Sequence, residues 1–267
     1  MSAAWDIFAT QYRVYLASSI QYRAGIAFQF LGKMVEPLVY LIVWTTVARQ
    51  SGGSVSGFTV NEFVVYFIAW TLVRQMTVAW DPFWMESRIR RGNFSPLLLR
   101  PLHPFYTDTV LMLASKTVEL VFLVPTLLVL TLIFQPVFNF AGGAVLAFIP
   151  ALIMAFAVRF TLLYALAMTA FWTTRITAVF HLFFAVEFFL SGRIAPLAVL
   201  PLWAQQIAAW LPFRWMFYFP LEVLTGRVPA DQLLPGFAMQ FLWLGLSALG
   251  LVLAWRFGVR RYTAVGG

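Results

Sequence analysis

The sequence has no cysteine and very few charged residues, and both absences restrict the kinds of protein it can be. Its 267 residues include 18 lysines and arginines, 10 aspartates and glutamates and 2 histidines. Without cysteine the chain cannot hold a disulfide, an iron–sulfur cluster or a cysteine zinc site. Charged residues make up 10% of the chain, whereas soluble domains contain about 25%. So few charges cannot cover a water-facing surface, which places the chain in a lipid bilayer.

Several functional patterns are also missing. There is no G-x-x-x-x-G-K-[ST] phosphate loop, because the single Gly32-Lys33 pair is followed by Met34. The acidic residues are scattered, and His103 and His181 have no acidic neighbour at metal-ligand spacing, so we predict no metal site. The excess of positive charge, +8, lies at the ends of apolar runs rather than in basic tracts with stacking aromatics. Nucleic-acid binding is therefore not expected.

Long apolar runs are abundant instead. Hydrophobic residues make up 62% of the chain, and its mean hydropathy is +0.84. A membrane-spanning helix needs roughly 20 apolar residues. We predict an all-α polytopic membrane protein in which residues 1–267 form one transmembrane domain. Its six predicted transmembrane helices cover residues 25–47, 62–80, 109–134, 144–172, 176–190 and 235–255.

The N-terminal segment and the arginines predict how the chain lies in the membrane. Trp5, Phe8 and Tyr12 begin an apolar stripe at helical spacing, which predicts an amphipathic interfacial helix over residues 1–23. The alternative is a helix packed on the same protein at the water side. Arginines concentrate in loops that share the side of the N-terminus, and Arg193 is among the few assigned to the outer side. The positive-inside rule then predicts cytoplasmic termini and a location in the cell (inner) membrane.

Residues 81–108 form a basic, proline-rich loop on the predicted cytoplasmic side. The stretch "WMESRIRR" predicts a short helix, with Glu86 and Arg90 four residues apart. Gly92 can end that helix in a left-handed conformation, and Pro96 can begin a second one. One interpretation is a cationic element that docks on a partner. The other is a positive anchor that touches only lipid headgroups.

The predicted outer segment, residues 191–234, is too apolar for a free loop. Prolines at positions 196, 201, 212 and 220 prevent one continuous helix. Trp203, Trp210 and Trp215 suit the headgroup region of a membrane. We predict two short helices that form a broken, re-entrant hairpin, shielded by the rest of the protein.

Several ionisable residues fall inside the predicted transmembrane helices, where each charge costs about 2.5–3.5 kcal/mol and therefore needs a partner or a wet cavity. Lys33 and Glu36 are three residues apart, as are Lys116 and Glu119. These pairs either line or gate the inner entrance of a pathway, or neutralise each other locally. For the others, Arg74, Arg159 and Glu187, we predict a charge bridge in which Glu187 neutralises one of the arginines across helices; a substrate site is the alternative.

Two stretches resemble the membrane subunits of ATP-binding-cassette exporters of the type 2 export branch. These are "MESRIRRGNFSPLLLRPLHPF" in the basic loop and "SGRIAPLAVLPLWAQQIAAWLPFRWMFY" before the last transmembrane helix. The resemblance implies that residues 84–94 form a coupling helix that docks on a separate ATPase subunit. That subunit would bind ATP and magnesium. It also implies a second copy of this chain or a similar permease. The implied ATPase-subunit contacts are Glu86, Arg88, Arg90, Arg91, Gly92 and Phe94.

The predicted function is accordingly the permease half of an ATP-driven exporter, coupled through residues 84–104, with no catalytic residue or cofactor of its own. The substrate would be amphiphilic or lipid-linked, because the outer segment is aromatic and deep polar groups are few. An ion-gradient-driven secondary carrier is the alternative, kept open by the intramembrane charges. A membrane-embedded enzyme that modifies lipids is a third, disfavoured by the scattered acids.

Overall fold

The computed structural model describes residues 2–21, 23–78, 83–140, 142–173 and 176–262, and most of them are helical. The helices are α1 (Ser2–Gln21), α2 (Arg23–Gln50), α3 (Val60–Thr77), α4 (Phe83–Arg90), α5 (Ser95–Leu98), α6 (Pro104–Phe134), α7 (Gly142–Ala167), α8 (Thr177–Leu190), α9 (Leu202–Trp210), α10 (Phe219–Leu224) and α11 (Ala230–Val259). Short 3-10 turns cover Met168–Phe171 and Leu197–Val199, and Arg214–Tyr218 is a π-helical turn. A small antiparallel hairpin joins β1 (Ser54–Val55) to β2 (Phe58–Thr59) between α2 and α3. The all-α prediction is confirmed.

Among the residues that the structure describes, three helices are both long and apolar enough to cross a membrane. They are Pro104–Phe134, Gly142–Phe171 and Ala230–Val259, and they coincide with the third, fourth and sixth predicted transmembrane helices. The first and second predictions coincide with α2 and α3, except that residues 79–80 lie outside the described ranges. The fifth coincides with α8, which has only 14 residues and so extends about 21 Å. That is shorter than the roughly 30 Å hydrocarbon core of a bilayer.

Helix α3 lies at the centre of the fold. Its first turn is closed by a reciprocal capping box, in which Thr59 accepts from the Glu62 backbone N–H and Glu62 accepts from the Thr59 backbone N–H. Buried residues then cover every side of the helix, among them Phe63, Phe67 and Trp70. A helix that is apolar all round must be surrounded by protein or lipid. Here neighbouring helices surround it, so α3 forms the core.

The outer segment after α8 folds back onto α2 and α3. Tyr66 donates its hydroxyl to the Gly192 carbonyl oxygen at 2.6 Å, and Trp44 donates its indole N–H to the Ile194 carbonyl oxygen at 2.7 Å. Gly192 has φ +82°, and a Cβ there would meet Tyr66 and Tyr218. Only glycine fits this turn without strain. The two short helices expected in this segment correspond to α9 and α10.

Helix α1 packs along α6. Tyr12 and Thr117 share a hydrogen bond at 2.6 Å between their hydroxyl oxygens. The rings of Trp5, Phe8 and Tyr12 stack in a row along α1, with centroids 5.3 and 5.8 Å apart. The N-terminal helix therefore touches the protein, as the alternative interpretation expected, while Trp5 stays exposed. Residues 1 and 22 of the predicted range 1–23 lie outside the described residues.

Candidate functional site

The basic loop between α3 and α6 consists of two short helices with glycine and proline at their boundaries. Helix α4 ends at Arg90, and Gly92 follows with φ +73°. Pro96 lies in the first turn of α5, where its missing N–H leaves no hydrogen bond unmade. His103 caps α6, because its Nδ1 accepts from the Phe105 backbone N–H at 3.2 Å. Local sequence thus explains each change of direction in the loop.

A charged clamp holds α4 to two long helices. The Arg88 guanidinium makes three contacts with the Asp108 carboxylate of α6, at N···O distances of 2.8, 3.1 and 3.1 Å. Tyr164 of α7 donates its hydroxyl to Asp108 Oδ2 at 3.0 Å. A bidentate arginine–carboxylate pair fixes both distance and orientation. Helices α4, α6 and α7 therefore meet at Asp108.

An aromatic cluster holds the second half of the loop. Phe94 is fully buried, and its ring centroid lies 5.4 Å from that of Phe171, 5.8 Å from Trp255 and 5.5 Å from Tyr262. The His103 ring lies 4.0 Å from the Trp255 ring, centroid to centroid. Burial lowers the pKa of His103 below its ordinary value. The loop is thus packed against the Met168–Phe171 turn that follows α7 and against the end of α11.

The structure places the six predicted ATPase-subunit contacts in different environments. Arg91 is exposed, whereas Glu86 and Phe94 are buried within the chain. Arg88 is paired with Asp108, and Gly92 is at the turn. The side chain of Arg90 lies outside what the structure describes.

The loop also exposes large apolar residues that lie in the predicted coupling range 84–104 but are not among the six predicted contacts. Trp84 is 59% exposed and Leu99 is 87% exposed, and Arg100 is exposed beside Leu99. The available signal was the triplet "LLL" at residues 97–99, of which two members are half-buried and the third points outward. Trp84, Arg91, Leu99 and Arg100 form what we call the exposed loop face.

A second polar feature joins helices deeper in the fold. Arg74 and Arg193 both contact the Glu36 carboxylate, at N···O distances of 2.6 and 3.1 Å. Arg193 also lies 4.0 Å from Glu187, whose carboxylate accepts from Arg159 at 3.0 Å. We call these five residues the arginine–glutamate network. It connects α2, α3, α7, α8 and the start of the outer segment.

The network shows which partners the charges inside the predicted helices have. Glu187 pairs with Arg159 across helices, as expected for one of the two arginines, whereas Arg74 pairs with Glu36. Arg193, which the arginine count assigned to the outer side, lies between the two glutamates. No sequence spacing relates Arg193 to Glu36, because 157 residues separate them.

The two lysine–glutamate pairs differ in what the structure shows. Lys116 contacts Glu119 at 2.9 Å, three residues along α6, and donates to the Gln75 carbonyl oxygen at 2.7 Å. That geometry is the local neutralisation described above. The Lys33 side chain lies outside the described residues. In the part of the chain that the structure describes, no three metal-ligating side chains come together.

The fold and the site together define a helical membrane protein whose basic loop is fixed to its long helices. The family model described as "ABC-2 family transporter protein" matches residues 34–266. The chain therefore belongs to the ABC-2 transporter family, and the resemblance drawn from its two loop segments is confirmed. Both the loop and the arginine–glutamate network lie inside the matched range. Comparison with curated proteins finds no match to the chain.

Proposed function

We propose that this chain is the permease half of an ATP-driven exporter, and that its loop at residues 84–104 couples it to a separate ATPase subunit. Membership of the ABC-2 family supports the general function. The observation that carries the proposal is that the loop is fixed to the protein by some of its residues and exposes others. Arg88 is clamped to α6 and α7 through Asp108 and Phe94 is packed inside the protein, while the residues of the exposed loop face remain accessible.

This arrangement suits the transmission of force. A partner that grips Leu99 and Trp84 would pull on α4 and on the residues around α5, which Phe94 anchors in the protein. The Arg88–Asp108–Tyr164 clamp would then carry the displacement to α6 and α7. ATP and magnesium would be bound by the partner, since this sequence lacks a phosphate loop.

The membrane arrangement belongs to the same proposal. Six helices, α2, α3, α6, α7, α8 and α11, would cross the bilayer, with both termini in the cytoplasm and the protein in the cell membrane. Helix α8 extends about 21 Å, so residues 191–234 would start below the outer membrane surface as a re-entrant hairpin. A second copy of this chain, or a similar permease, would complete the pathway.

We further propose an amphiphilic or lipid-linked substrate that leaves the cytoplasm. The long helices present large exposed apolar side chains such as Leu128 and Leu132 of α6, which suit contact with lipid or an acyl chain. An ion-gradient-driven carrier remains the competing function, because the arginine–glutamate network could couple to an ion.

Site-specific crosslinking tests the coupling. A photoreactive amino acid replaces Leu99 on the exposed loop face, and a matched variant carries it at Leu202, which is 75% exposed on the outer segment. Membranes are irradiated after labelling with an azido-ATP analogue. We expect a nucleotide-labelled polypeptide joined to the chain from position 99 and not from position 202. Capture only from position 202, or transport driven by a proton gradient without ATP, would overturn the proposal.

A further inference from the structure

The arginine–glutamate network is not electrically balanced. It contains three arginines, Arg74, Arg193 and Arg159, and two glutamates, Glu36 and Glu187. Arginine keeps its charge in proteins, so the ionised network carries one positive charge more than its glutamates neutralise. The neighbouring pair of Lys116 and Glu119 contributes no balancing charge, because its own charges cancel.

Hydrogen-bond donors are also in excess at the network. The Nε atoms of Arg74, Arg193 and Arg159 are buried and have no acceptor among the described residues. The same is true of Trp70 Nε1 and Gln75 Nε2, and the Trp70 ring lies 5.3 Å from the Arg74 guanidinium carbon. Buried donors normally have a partner. An acceptor-rich group beside Arg74 and Arg193 would supply acceptors at that end of the network.

One end of the network is accessible and the other is closed. The side chains of Glu36, Arg74 and Arg193 are 27, 19 and 16% exposed, whereas those of Arg159 and Glu187 are 6 and 1% exposed. Glu187 Oε1 is an acceptor without a partner, but it lies at this closed end. A ligand would therefore meet Arg74 and Arg193 first.

The accessible end adjoins an apolar wall. Val35 and Val39, on either side of Glu36 along α2, are 58 and 49% exposed, and Ile42 continues the same face at 58%. An arginine pair beside an exposed aliphatic face matches a molecule with an anionic head and a hydrocarbon tail. A free inorganic anion would use the arginines alone.

We propose that the accessible end of the network is a binding site for the phosphate headgroup of an anionic amphiphile, with the tail along α2. The headgroup oxygens supply the missing negative charge and accept from the arginine donors, as charge-assisted hydrogen bonds favour. The proposal rests on the proposed function only in taking this amphiphile as a form of the exported substrate. Binding itself requires neither ATP nor a partner subunit.

The test is lipid retention by the purified chain. The chain is reconstituted in nanodiscs of equal phosphatidylglycerol and phosphatidylcholine, extracted in mild detergent, and its bound lipids are counted by native mass spectrometry. Arg74→Gln leaves two complete pairs, Glu36 with Arg193 and Glu187 with Arg159, and removes the surplus charge. We expect it to retain phosphatidylglycerol about tenfold less well, as expected for the loss of a charge-assisted hydrogen bond.

Glu36→Gln supplies the opposite perturbation, because it raises the surplus from one positive charge to two. It should retain at least as much phosphatidylglycerol as the unaltered chain. Arg214→Gln, which removes an arginine from its pair with Glu222 in the outer segment, is the matched control and should change nothing. If Arg74→Gln does not purify folded, Arg193→Gln tests the same change in charge. Losses of equal size in the Arg74 and Glu36 variants would overturn the site, since they would indicate a structural role only.

Competition identifies the source of the headgroup. Dodecyl phosphate should displace phosphatidylglycerol, whereas inorganic phosphate at the same concentration should not. Equal displacement by both would overturn the amphiphile and leave a small-anion site. Because no nucleotide is present, this outcome is independent of whether azido-ATP labelling finds an ATPase partner at position 99.

Discussion

Neutralising Asp108 should release the basic loop from the long helices. The Asp108 carboxylate is 2% exposed, receives three contacts from Arg88 and accepts from Tyr164. Removing one partner of a fully buried ion pair costs about 3–5 kcal/mol. The Arg88 side chain is 18% exposed, and water can partly solvate it after the change. We therefore expect Asp108→Asn to weaken the attachment of α4 by about 2–3 kcal/mol, which raises the population of its detached state roughly 30- to 150-fold.

Because the chain has no cysteine, detachment of α4 can be measured by labelling a single introduced cysteine. Met85 of α4 is fully buried, whereas Leu99 is exposed, and a single cysteine at either position has no competing thiol in the chain. The labelling rate of the Met85→Cys variant by a maleimide reports detachment of α4. The Leu99→Cys variant gives the intrinsic rate. Adding Asp108→Asn should accelerate labelling at position 85 by the factor given above and leave position 99 unchanged.

The control is Asp231→Asn, which removes an exposed carboxylate from the first turn of α11. It should leave labelling at position 85 unaltered. Equal labelling rates at position 85 with and without Asp108→Asn would refute the clamp, and with it the proposed route of force from the loop to α6 and α7.

Three further predictions concern packing and pH. Phe94→Ala should lower the free energy of unfolding by about 3–5 kcal/mol, measured by thermal denaturation in detergent, because the ring is fully buried among aromatic rings; Phe94→Leu should cost less. Burial lowers the pKa of His103, so the unfolded chain binds the proton more readily and stability should fall as pH drops below about 6.5, the ordinary pKa; His103→Asn, which keeps a helix cap, should remove this dependence. Gly236→Ala should destabilise the chain because its Cβ would overlap the Phe219 ring, whereas Gly250→Ala, where nothing lies within 4 Å, should be neutral or slightly stabilising.

The charged residues show most clearly where sequence reasoning stops. The cost of an isolated charge in a membrane predicts that Glu187 must have a partner, but it does not say which arginine. Arg159 is 28 residues away along the chain, and Arg193, which links the two glutamates, was not among the residues predicted to form the bridge. Counting the arginines in each predicted loop assigns every arginine to a side of the membrane. It does not predict which residues an arginine contacts once the outer segment has folded back.

The basic loop also shows the difference between what local sequence predicts and what distant contacts decide. Gly92, Pro96 and Pro104 predict where the backbone turns, because their preferred conformations are local properties. Whether Phe94 faces a partner or the chain itself depends on Phe171 and Trp255, which come from distant helices. The sequence alone is compatible with both positions of Phe94, because an apolar ring can pack against a partner or inside the protein.

The sequence by itself determined the helical membrane class, the positions of the apolar helices and the ABC-2 resemblance, because hydropathy, turn residues and short motifs are read along the chain. Only the tertiary structure decided which face of the basic loop is exposed and which charges are paired. Those properties depend on contacts between residues far apart in sequence, and a pair such as Glu36 and Arg193 leaves no periodic or local trace of its contact.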